Sequence, residues 1–547
     1  MRWKTLLVLL LAFLVAGTVL TLRARKGRKY ACPDCNVILI SIDTLRADHL
    51  GCYGYAADTT PNIDRFSKDA VLFRTAIAHA PSTTPSHASI FTSLLPVHHG
   101  ALRARQRPIS DTVKTMAEIL RDTGYRTISF NGGGQVSATY GFDRGFEIYE
   151  SEPGTFAQKV EKATQWMQQN PDAKFFMFLH TYEVHAPYQP DARLMEMFDA
   201  DYTGDLGDAI LPRLLININD GTVAIDEEDA RHIVNAYDAE IRSMDLAFAQ
   251  LVRAMAQEGL FENTIVVFTS DHGEEFGEHS QMGRHSHALY DEVLRVPLII
   301  RLPDRKFAGT VVDRQVRGID ILPTVTDLLG LEHRDQFDGS SLTPLMMRRR
   351  DDERIAVSQI DTRHERIPSS IRTESEKLVL GARTYVQGAS HRWFENKVEF
   401  VGTMHGIELP IESFHVPRRV RISVDGKFLK EAVIHPRKQP LGIPSTSPDA
   451  RVTIESVTPC TRPADVGVDL ELPCVSFRVF NPFEFFLLED DPAEQDNRFD
   501  DAAHDEEISR LRLQLERILA SRETPTAPEV DVDPRTRERL KALGYVD

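Results

Sequence analysis

The chain has 547 residues, of which 42% are apolar and 27% are charged, so it is long enough for more than one domain and is not a disordered or fibrous chain. Its 64 Lys and Arg residues against 81 Asp and Glu residues give a formal net charge of −17, which argues against nucleic acid as a general partner. A multi-span membrane protein is excluded, because a single uncharged apolar run approaches spanning length.

That run lies at the amino end. Residues 5–22 are uncharged and mostly Leu, Val and Ala, and they follow Arg2 and Lys4, which is typical of a signal peptide or a signal anchor. Small residues at 16–18 would suit cleavage, whereas the basic run at 23–29 prefers the cytoplasmic side of a membrane. We predict that residues 1–30 are a signal peptide or membrane anchor. The main domain is then extracytoplasmic (periplasmic or extracellular), either membrane-anchored or secreted.

The five cysteines agree with that compartment. Cys32 and Cys35 are separated by two residues, Cys460 and Cys474 form a second close pair, and Cys52 stands alone. Two disulfides and one buried thiol fit an oxidising environment. A zinc site made by the four paired cysteines is the less favoured alternative, because the two pairs are far apart in the chain.

From residue 36 to about 385, fully apolar strands alternate with amphipathic helices. One helix is predicted to begin at Thr60-Pro61, another after a cap at Ser110, and a long one carries an apolar stripe from Ile233 to Met255. The predicted strands lie at 36–41, 126–130, 174–180, 264–270 and 296–301. This alternation predicts an α/β domain with a large parallel sheet covered on both faces.

The pattern changes after about residue 385. Residues 418–434 and 450–457 alternate like strands around turn residues, which predicts a smaller, β-rich insertion or subdomain at 395–480. Residues 483–547 are predicted to form a carboxyl-terminal segment with helices. The first of these helices carries Ile508, Leu511, Leu515, Ile518 and Leu519.

Three polar clusters follow predicted strands, where open α/β sheets bind their ligands. Asp43 follows the first strand, Asp271 and His272 follow another, and His180 and His185 lie in the third cluster. A single Asp at a strand end is usually a turn residue or a helix cap. Two carboxylates and an imidazole that converge suit a divalent metal, with Zn or Mn favoured and Ca or Mg as alternatives.

Between these clusters lies APSTTPSHASIFTSLLPVHHG at residues 80–100. Thr84-Pro85 predicts a helix cap followed by a first-turn proline, so Thr83 is expected just before a helix amino terminus. The backbone N–H groups and the dipole at such a terminus favour an oxyanion. On its own, the pattern indicates no more than a capped helix.

Taken together, these segments resemble the sulfatase family of the alkaline phosphatase-like superfamily. The string from Thr83 to Gly100 is similar to the family signature around the nucleophile. IDTLRADHLGCYGY, HAPY and TSDHGEEFGEH resemble its other motifs, in the expected order. The resemblance covers about residues 36–385 and 483–500 and leaves the β-rich region unmatched. It implies an alkaline phosphatase-like fold and a metal-assisted site for anionic esters.

The resemblance also implies the site residues. The implied metal ligands are Asp43, Thr83, Asp271 and His272. A second zinc site would need an Asp four residues before His185, where the chain has Thr181, so one divalent ion is predicted. The implied catalytic residues are Thr83 as nucleophile with His87, His185 and His287, and His285 is a further candidate, because histidines can bind ester oxygens or protonate the leaving group. Glu275 and Glu278 are expected to be structural or solvated.

Several positions depart from the family pattern. The family nucleophile is a Cys or Ser that is oxidised to formylglycine, but this chain has Thr83, whose methyl group prevents that conversion. His87 stands where the maturation motif has Arg, and Thr44 replaces a second acidic ligand. The Lys-Trp-His motif of arylsulfatases is missing, and FNGGGQV at 130–136 lies in its vicinity.

The predicted function is therefore a metal-dependent hydrolase of phosphate or sulfate esters with a Thr nucleophile. Its expected substrate is an anionic ester on a glycan or a lipid headgroup. One alternative is a membrane-anchored phosphotransferase of the phosphoethanolamine or glycerophosphate type. The other is an inactive protein that binds an anionic glycan.

Overall fold

The structure is a computed structural model that describes residues 30–543. It leaves out residues 102–106, 208, 220–221, 280, 333–336, 362–366, 381–385, 395–396, 405–406, 414–417, 435–438, 444–450, 457–474, 477–482, 500 and 526–528. The predicted targeting segment up to residue 29 and the pair Cys460 and Cys474 lie outside the described residues. Within them, no helix combines the length and apolar character needed to cross a membrane. Cys32 and Cys35 are joined in a disulfide, as predicted, and Cys52 is a partly buried free thiol.

Eight of the first ten strands form the main sheet of the molecule. The ten strands are β1 (Asn36–Ile42), β2 (Val71–Ile77), β3 (Arg126–Asn131), β4 (Ile148–Ser151), β5 (Phe175–Thr181), β6 (Thr264–Ser270), β7 (Glu275–Phe276), β8 (Met282–Arg284), β9 (Arg295–Arg301) and β10 (Thr310–Arg317). β7 and β8 pair as a short hairpin. The other eight form one sheet in the order β10-β2-β9-β6-β1-β5-β3-β4.

This sheet confirms the predicted α/β class but is mixed rather than wholly parallel. β1 is parallel to both β5 and β6, whereas β9 is antiparallel to both β2 and β6. The sequence of β9 could not indicate its direction, because a strand buried on both faces is uniformly apolar whichever way it runs. No long crossover helix lies between β6 and β9, so the chain returns antiparallel through the hairpin of β7 and β8.

Helices cover both faces of the sheet. They are α1 (Pro61–Ser67), α2 (Thr83–Thr92), α3 (Pro96–His99), α4 (Met116–Asp122), α5 (Phe156–Gln169), α6 (Ala192–Asp199), α7 (Pro212–Asn219), α8 (Glu227–Gln257), α9 (Asp291–Leu294), α10 (Ile321–Leu328), α11 (Thr343–Met346), α12 (Asp505–Leu519) and α13 (Pro534–Ala542). Val37 and Leu39 of β1 pack into a core with α2, α4 and α10, while Ile38 and Ile40 pack into the opposite core with α5 and α8. This alternation is the period of two expected of a strand buried on both faces.

Two helix starts test the capping predictions. α1 begins at Pro61 with Thr60 at its N-cap, as predicted. The prediction of a cap at Ser110 was wrong, because α4 begins at Met116 and Thr115 caps it in a reciprocal capping box with Glu118. The hydroxyl of Ser110 instead accepts a hydrogen bond from the backbone of Thr112 in a turn.

After the main sheet, the chain forms smaller antiparallel sheets. β11 (Ala356–Gln359), β12 (Ser369–Arg372), β13 (Glu376–Leu380) and the late strand β22 form one of these sheets. The strands between β13 and β22 are β14 (Val386–Phe394), β15 (Lys397–Met404), β16 (Ile407–Ser413), β17 (Arg418–Val424), β18 (Lys427–Ile434), β19 (Gln439–Ile443), β20 (Arg451–Ser456) and β21 (Val475–Ser476), and β22 is Phe483–Leu487. The predicted domain limits at 36–385, 395–480 and 483–547 stay predictions.

Candidate active site

The ends of three parallel strands meet at one level of the main sheet. Ile42 of β1 lies opposite Thr181 of β5 on one side and Ser270 of β6 on the other. The residues that follow these strands therefore leave the sheet side by side. This register places Asp43 next to Asp271, although the two residues are far apart in the sequence.

Thr83, the first residue of α2, completes a group that we call the carboxylate corner: Asp43, Thr83, Asp271 and His272. The Thr83 hydroxyl donates a hydrogen bond to Oδ2 of Asp43 at 3.2 Å, and its oxygen lies 3.4 Å from Nε2 of His272. Nε2 of His272 is also 3.4 Å from Oδ2 of Asp271. All four residues are buried. The four predicted ligand positions thus lie together.

The amino end of α2 differs slightly from its prediction. The helix begins at Thr83 with Ser82 at the N-cap, two residues earlier than a cap at Thr84 would give. The Thr84 hydroxyl donates to the carbonyl of Gln135 at 2.8 Å instead. Ser86, in the first turn, donates to the carbonyl of Asp271 at 2.6 Å. These two bonds fix the start of the helix, and with it Thr83, against the ends of the strands.

The donor set of the corner fits a divalent metal ion. Asp43, Asp271 and His272 each offer a ligand atom within 4.8 Å of the others. Oδ1 of Asp43 and Oδ2 of Asp271 are buried and have no hydrogen-bond partner among the described residues, which is costly unless something else binds them. His272 donates from Nδ1 to the carbonyl of Gly273 at 2.9 Å, which leaves the lone pair of Nε2 facing the corner, as in a metal-ligating histidine. Carboxylates with an imidazole suit Zn or Mn better than Ca or Mg.

The two carboxylates affect each other's protonation. Burial raises the pKa of Asp43 well above its usual range, and the negative charge of Asp271 raises it further. Burial would also raise the pKa of Asp271, but the imidazoles of His272 and His87 lower it overall. Burial lowers the pKa of His272, but the two carboxylates raise it overall. These shifts are typical of like charges that share a site without a full cation to balance them.

His87 lies beneath the corner in the first turns of α2. Its Nδ1 donates to the carbonyl of Thr83 at 3.1 Å and lies 3.4 Å from Oδ2 of Asp271. Its Nε2 accepts from the hydroxyl of Ser41 at 2.9 Å. Burial lowers the pKa of His87 to about 3, so the ring is neutral. With both nitrogens used, His87 holds α2 against β1.

His185 and His285 extend a row of imidazoles from His272. The ring centroids of His272 and His285 are 4.6 Å apart, and those of His285 and His185 are 5.0 Å apart. Nδ1 of His185 donates to the carbonyl of Ala186 at 2.5 Å, and Nδ1 of His285 lies 2.9 Å from Oε1 of Glu274. Burial lowers the pKa of His185 to about 4, so it is neutral at pH 7.

The structure does not bring His287 to the corner. Its Nε2 lies 2.6 Å from Oε2 of the buried Glu275, and its Nδ1 lies 2.9 Å from the carbonyl of His285. Among the described contacts of His287, none is with the carboxylate corner. Glu278 pairs with Arg46 at 2.6 Å, which is a structural contact. The direction of side chains on this long loop could not be derived from the spacing of the motif.

His180 belongs to the site, although the sequence reasoning did not include it among the site residues. Its Nε2 lies 3.5 Å from Oδ2 of Asp43, and the ring is fully buried beside Tyr182, with centroids 4.7 Å apart. Neither nitrogen of His180 has a hydrogen-bond partner among the described residues. The sequence places His180 near the end of a predicted strand. The pairing of that strand with β1 then sets His180 opposite Ser41, two residues before Asp43.

Comparisons with known proteins cover the same part of the chain. The family model described as "Sulfatase" matches residues 35–331, which is more than half of the chain and includes the carboxylate corner. The ulvan-active sulfatase of Formosa agariphila is 27% identical over 343 residues, which span 57% of this chain and 65% of that protein, just under two thirds of its length.

Solved structures share the fold at low sequence identity. The phosphonate monoester hydrolase of Agrobacterium radiobacter superposes with a TM-score of 0.60 and 18% identity, covering 89% of this chain and 96% of that chain. A second structure, solved in complex with its substrate D-glucosamine-2-N,6-O-disulfate, gives a TM-score of 0.59 and 17% identity, covering 90% of this chain and 99% of that chain. At such identity these likenesses show the fold alone.

Proposed function

Because the chain belongs to the sulfatase family, we propose that it hydrolyses anionic esters with Thr83 as nucleophile and one divalent metal ion as cofactor. The observation that carries the proposal is the position of the Thr83 hydroxyl. It lies at the amino end of α2, 3.2 Å from Oδ2 of Asp43 and 3.4 Å from Nε2 of His272. A buried hydroxyl beside unpartnered carboxylate oxygens is the arrangement that a metal-activated nucleophile needs.

In the first step, the Thr83 oxygen attacks the phosphorus or sulfur atom in line with the leaving oxygen. Its hydrogen bond to Asp43 directs the hydroxyl proton away from the substrate and leaves a lone pair for the attack. The backbone N–H groups in the first turn of α2 face the developing negative charge. A divalent ion held by Asp43, Asp271 and His272, with Thr83, would lower the pKa of the hydroxyl and neutralise charge on the ester oxygens.

His185 and His285 are the proposed groups for proton transfer. As neutral imidazoles they accept the proton that leaves Thr83 and pass it to the leaving oxygen, and in the second step they pass a proton of the attacking water back to Thr83. They continue the row that begins at His272, and each is oriented through Nδ1, by a carbonyl in His185 and by Glu274 in His285. An oriented imidazole presents its other nitrogen in a fixed direction, which is what acid–base catalysis requires. In this proposal His87 and His287 do not touch the substrate.

Phosphate esters are the proposed substrates rather than sulfate esters. A formylglycine hydrate can expel sulfate by collapsing to an aldehyde, but a threonyl sulfate has no such route and needs a second attack. Phosphorus accepts a second in-line nucleophile readily, so a threonyl phosphate can be hydrolysed. The methyl group of Thr83 therefore favours phosphoryl chemistry.

The proposed setting is the outside of a membrane, with residues 1–30 as signal or anchor. The disulfide between Cys32 and Cys35 supports an oxidising compartment. The net charge of −17 disfavours nucleic acid as substrate. An anionic ester on a glycan or on a lipid headgroup is the proposed substrate class.

The test is a direct comparison of matched aryl phosphate, aryl phosphonate and aryl sulfate substrates with protein loaded with Zn or Mn. Thr83→Ala should lower phosphate turnover by about 10⁴-fold or more, while Thr83→Ser keeps part of it, because its hydroxyl remains. Thr92→Ala is the matched control, because it removes a threonine hydroxyl at the other end of α2, where it donates to the carbonyl of Ala88, and it should change turnover little. Mass spectrometry of the wild type during turnover should find a phosphorylated Thr83.

Two outcomes would contradict the proposal. Faster turnover of sulfate than of phosphate esters would show that the proposed preference for phosphate esters is wrong. Unchanged activity in Thr83→Ala would show that Thr83 is not the nucleophile. Retention of metal with no turnover and no adduct would favour the inactive binding protein. Transfer of phosphate to an added alcohol in preference to water would favour the phosphotransferase.

A further inference from the structure

A loop of three consecutive glycines lies beside the carboxylate corner. Residues 132–134 follow β3, and Gly133 and Gly134 have positive φ values of 69° and 62°. A Cβ atom on Gly132 would lie 2.6 Å from the ring of Tyr182, and one on Gly134 would lie 3.3 Å from Cγ of Arg539. The absence of side chains in this loop therefore leaves space that Tyr182, which follows β5, and Arg539 of α13 occupy.

Arg539 reaches this loop from α13, near the carboxyl end of the described chain. Its Nε donates to the carbonyl of Gly132 at 3.2 Å, and its Cζ lies 5.3 Å from the ring centroid of Tyr182. The Thr139 hydroxyl, which donates to Asp533 at 2.5 Å, holds the helix there, while Arg535 forms an exposed ion pair with Glu152. The guanidinium is half-buried against the loop.

A short chain of contacts links Arg539 to the corner. The ring of Tyr182, over which Arg539 lies, is 4.7 Å from the ring of His180. His180 in turn lies 3.5 Å from Oδ2 of Asp43. Burial lowers the pKa of Arg539, and the charge of Asp43 is among the groups that oppose this lowering. Arg539 is thus a cation on the His180 side of the corner.

Among the described residues, no carboxylate forms an ion pair with Arg539. Its two terminal nitrogens have no hydrogen-bond partner in the same described part of the chain. Lys159, 2% exposed, adds a second such cation, because it donates to the carbonyl of Glu152 and has no described carboxylate partner. By contrast, the more exposed Lys162 pairs with Glu150 at 2.5 Å. Partly buried cations without carboxylates are unusual unless an anion from outside the chain meets them.

We propose that Arg539 binds an oxyanion of the substrate next to the carboxylate corner, so that α13 completes the substrate site. This inference rests on the proposed function. A guanidinium offers two parallel N–H groups that match two oxygens of a phosphate group, and the Nε bond to Gly132 fixes its orientation. The chain thereby supplies a substrate-binding cation from a helix that lies far from the sulfatase motifs in the sequence.

The experiment uses the full-length, metal-loaded protein and inorganic phosphate as the probe, measured by calorimetry. Arg539→Gln should weaken phosphate binding roughly 10- to 100-fold, because a charge-assisted bidentate contact is lost. Arg539→Lys should keep part of the affinity, since it keeps the charge. Arg535→Gln is the matched control on the same helix and should stay within about twofold of the wild type, because its ion pair with Glu152 is exposed.

Kinetics with an aryl phosphate provide a second readout. Arg539→Gln should raise KM by about the factor seen in phosphate binding, with a smaller effect on kcat, whereas a merely structural role would lower the amount of folded protein and leave KM unchanged. If Arg539→Gln does not fold, Arg539→Lys decides: a clear loss of phosphate affinity supports the inference, and unchanged affinity overturns it.

The outcomes separate the two proposals. Active wild type with equal phosphate affinity and KM in the Arg539→Gln and Arg535→Gln variants would show that the role of Arg539 is wrong while hydrolysis stands. Inactive wild type whose phosphate binding still depends on Arg539 would show that hydrolysis is wrong while the anion site stands.

Discussion

Two groups of largely buried carboxylates lie in or next to the loop that follows β6. The negative charges of the two groups are neutralised in different ways. In the carboxylate corner, the nearest side-chain nitrogens of the described residues to the carboxylates of Asp43 and Asp271 are those of imidazoles, at 3.4 to 3.9 Å. In the second group, which we call the paired cluster, every carboxylate has a Lys, Arg or His nitrogen within 3.0 Å. Its members are Glu275, Asp291, Glu292 and Glu494 with His279, His287, Arg372 and Lys377.

Closeness of ligand atoms alone does not separate the two groups. Glu275, His279 and Glu292 also place ligand atoms within 4.8 Å of one another. However, both ring nitrogens of His279 are already used, Nδ1 by Glu292 at 2.5 Å and Nε2 by the carbonyl of Glu494 at 3.0 Å. The chain supplies the counter-charges of the paired cluster itself. The carboxylates of the corner, which no side-chain nitrogen of the described residues approaches within 3.4 Å, instead indicate a charge that comes from outside the chain.

The comparison is tested most strongly by Asp271→Asn, which keeps the shape of the side chain and removes its charge. We expect about one metal ion per wild-type chain and none in the variant, with phosphate turnover lowered by about 10³-fold or more. The metal-free variant should be as stable as the metal-free wild type or more stable, because a repulsion between buried carboxylates is removed. Elemental analysis measures the bound metal, and denaturant unfolding measures the stability of the metal-free proteins. Two tightly held ions in the wild type would refute the one-metal prediction.

The opposite result is expected for the paired cluster. Lys377→Met removes the cation that lies 3.0 Å from Asp291 and 2.5 Å from Glu494. The free energy of unfolding should fall by about 3–5 kcal/mol, because the buried Glu494 loses its cation and Asp291 keeps only its ion pair with Arg372. The turnover of the molecules that remain folded should be close to that of the wild type. Loss of bound metal in this variant would show that the two groups are not independent.

A smaller effect, which depends on pH, is expected at His279. Burial lowers the pKa of His279, but the hydrogen bonds to Glu292 and to the Glu494 carbonyl raise it overall to about 9 from the ordinary 6.5. The stabilisation is therefore complete below about pH 6.5 and is lost as the pH rises through 9. We expect His279→Gln to be less stable than the wild type by about 1–3 kcal/mol at pH 6 and nearly equal to it above pH 9. Unfolding curves at three pH values decide this, and a constant difference would contradict it.

The smallest effect belongs to ion pairs outside both groups. Arg74 and Asp313 are 2.8 Å apart, with side chains 51% and 81% exposed. Arg74→Gln should change the free energy of unfolding by less than about 0.5 kcal/mol, because water already solvates both charges. A loss as large as that of Lys377→Met would mean that burial is not what distinguishes the paired cluster.

Local sequence signals predicted much of the fold and the centre of the site. Asp43, Asp271 and His272 follow apolar strands directly, and parallel pairing brings strand ends together whatever lies between them in the sequence. Such signals could not indicate the direction of β9, because its apolar residues suit a parallel and an antiparallel strand equally well. The sequence does contain the capping box of α4, in Thr115 and Glu118, but the prediction places the cap at Ser110.

The remaining site residues depend on long-range geometry. His87 has the spacing of a catalytic residue, but the helical turn directs its Nδ1 back to the carbonyl of Thr83. His287 lies on a loop whose direction is set by its contact with Glu275. Arg539 belongs to a helix without any motif, and only the packing of α13 against the glycine loop places it near Tyr182.

The parallel pairing of β1 with β6 also has a consequence for the order of folding. Thr44 and Asp271, whose backbone N–H and carboxylate lie 3.4 Å apart in the corner, are 227 positions apart in the chain. Contacts of such separation form late, because a long loop must close before they bring any gain. We therefore expect the four residues of the corner to come together near the end of folding, after the transition state. Added Zn or Mn should slow the unfolding rate of the protein and leave its refolding rate nearly unchanged.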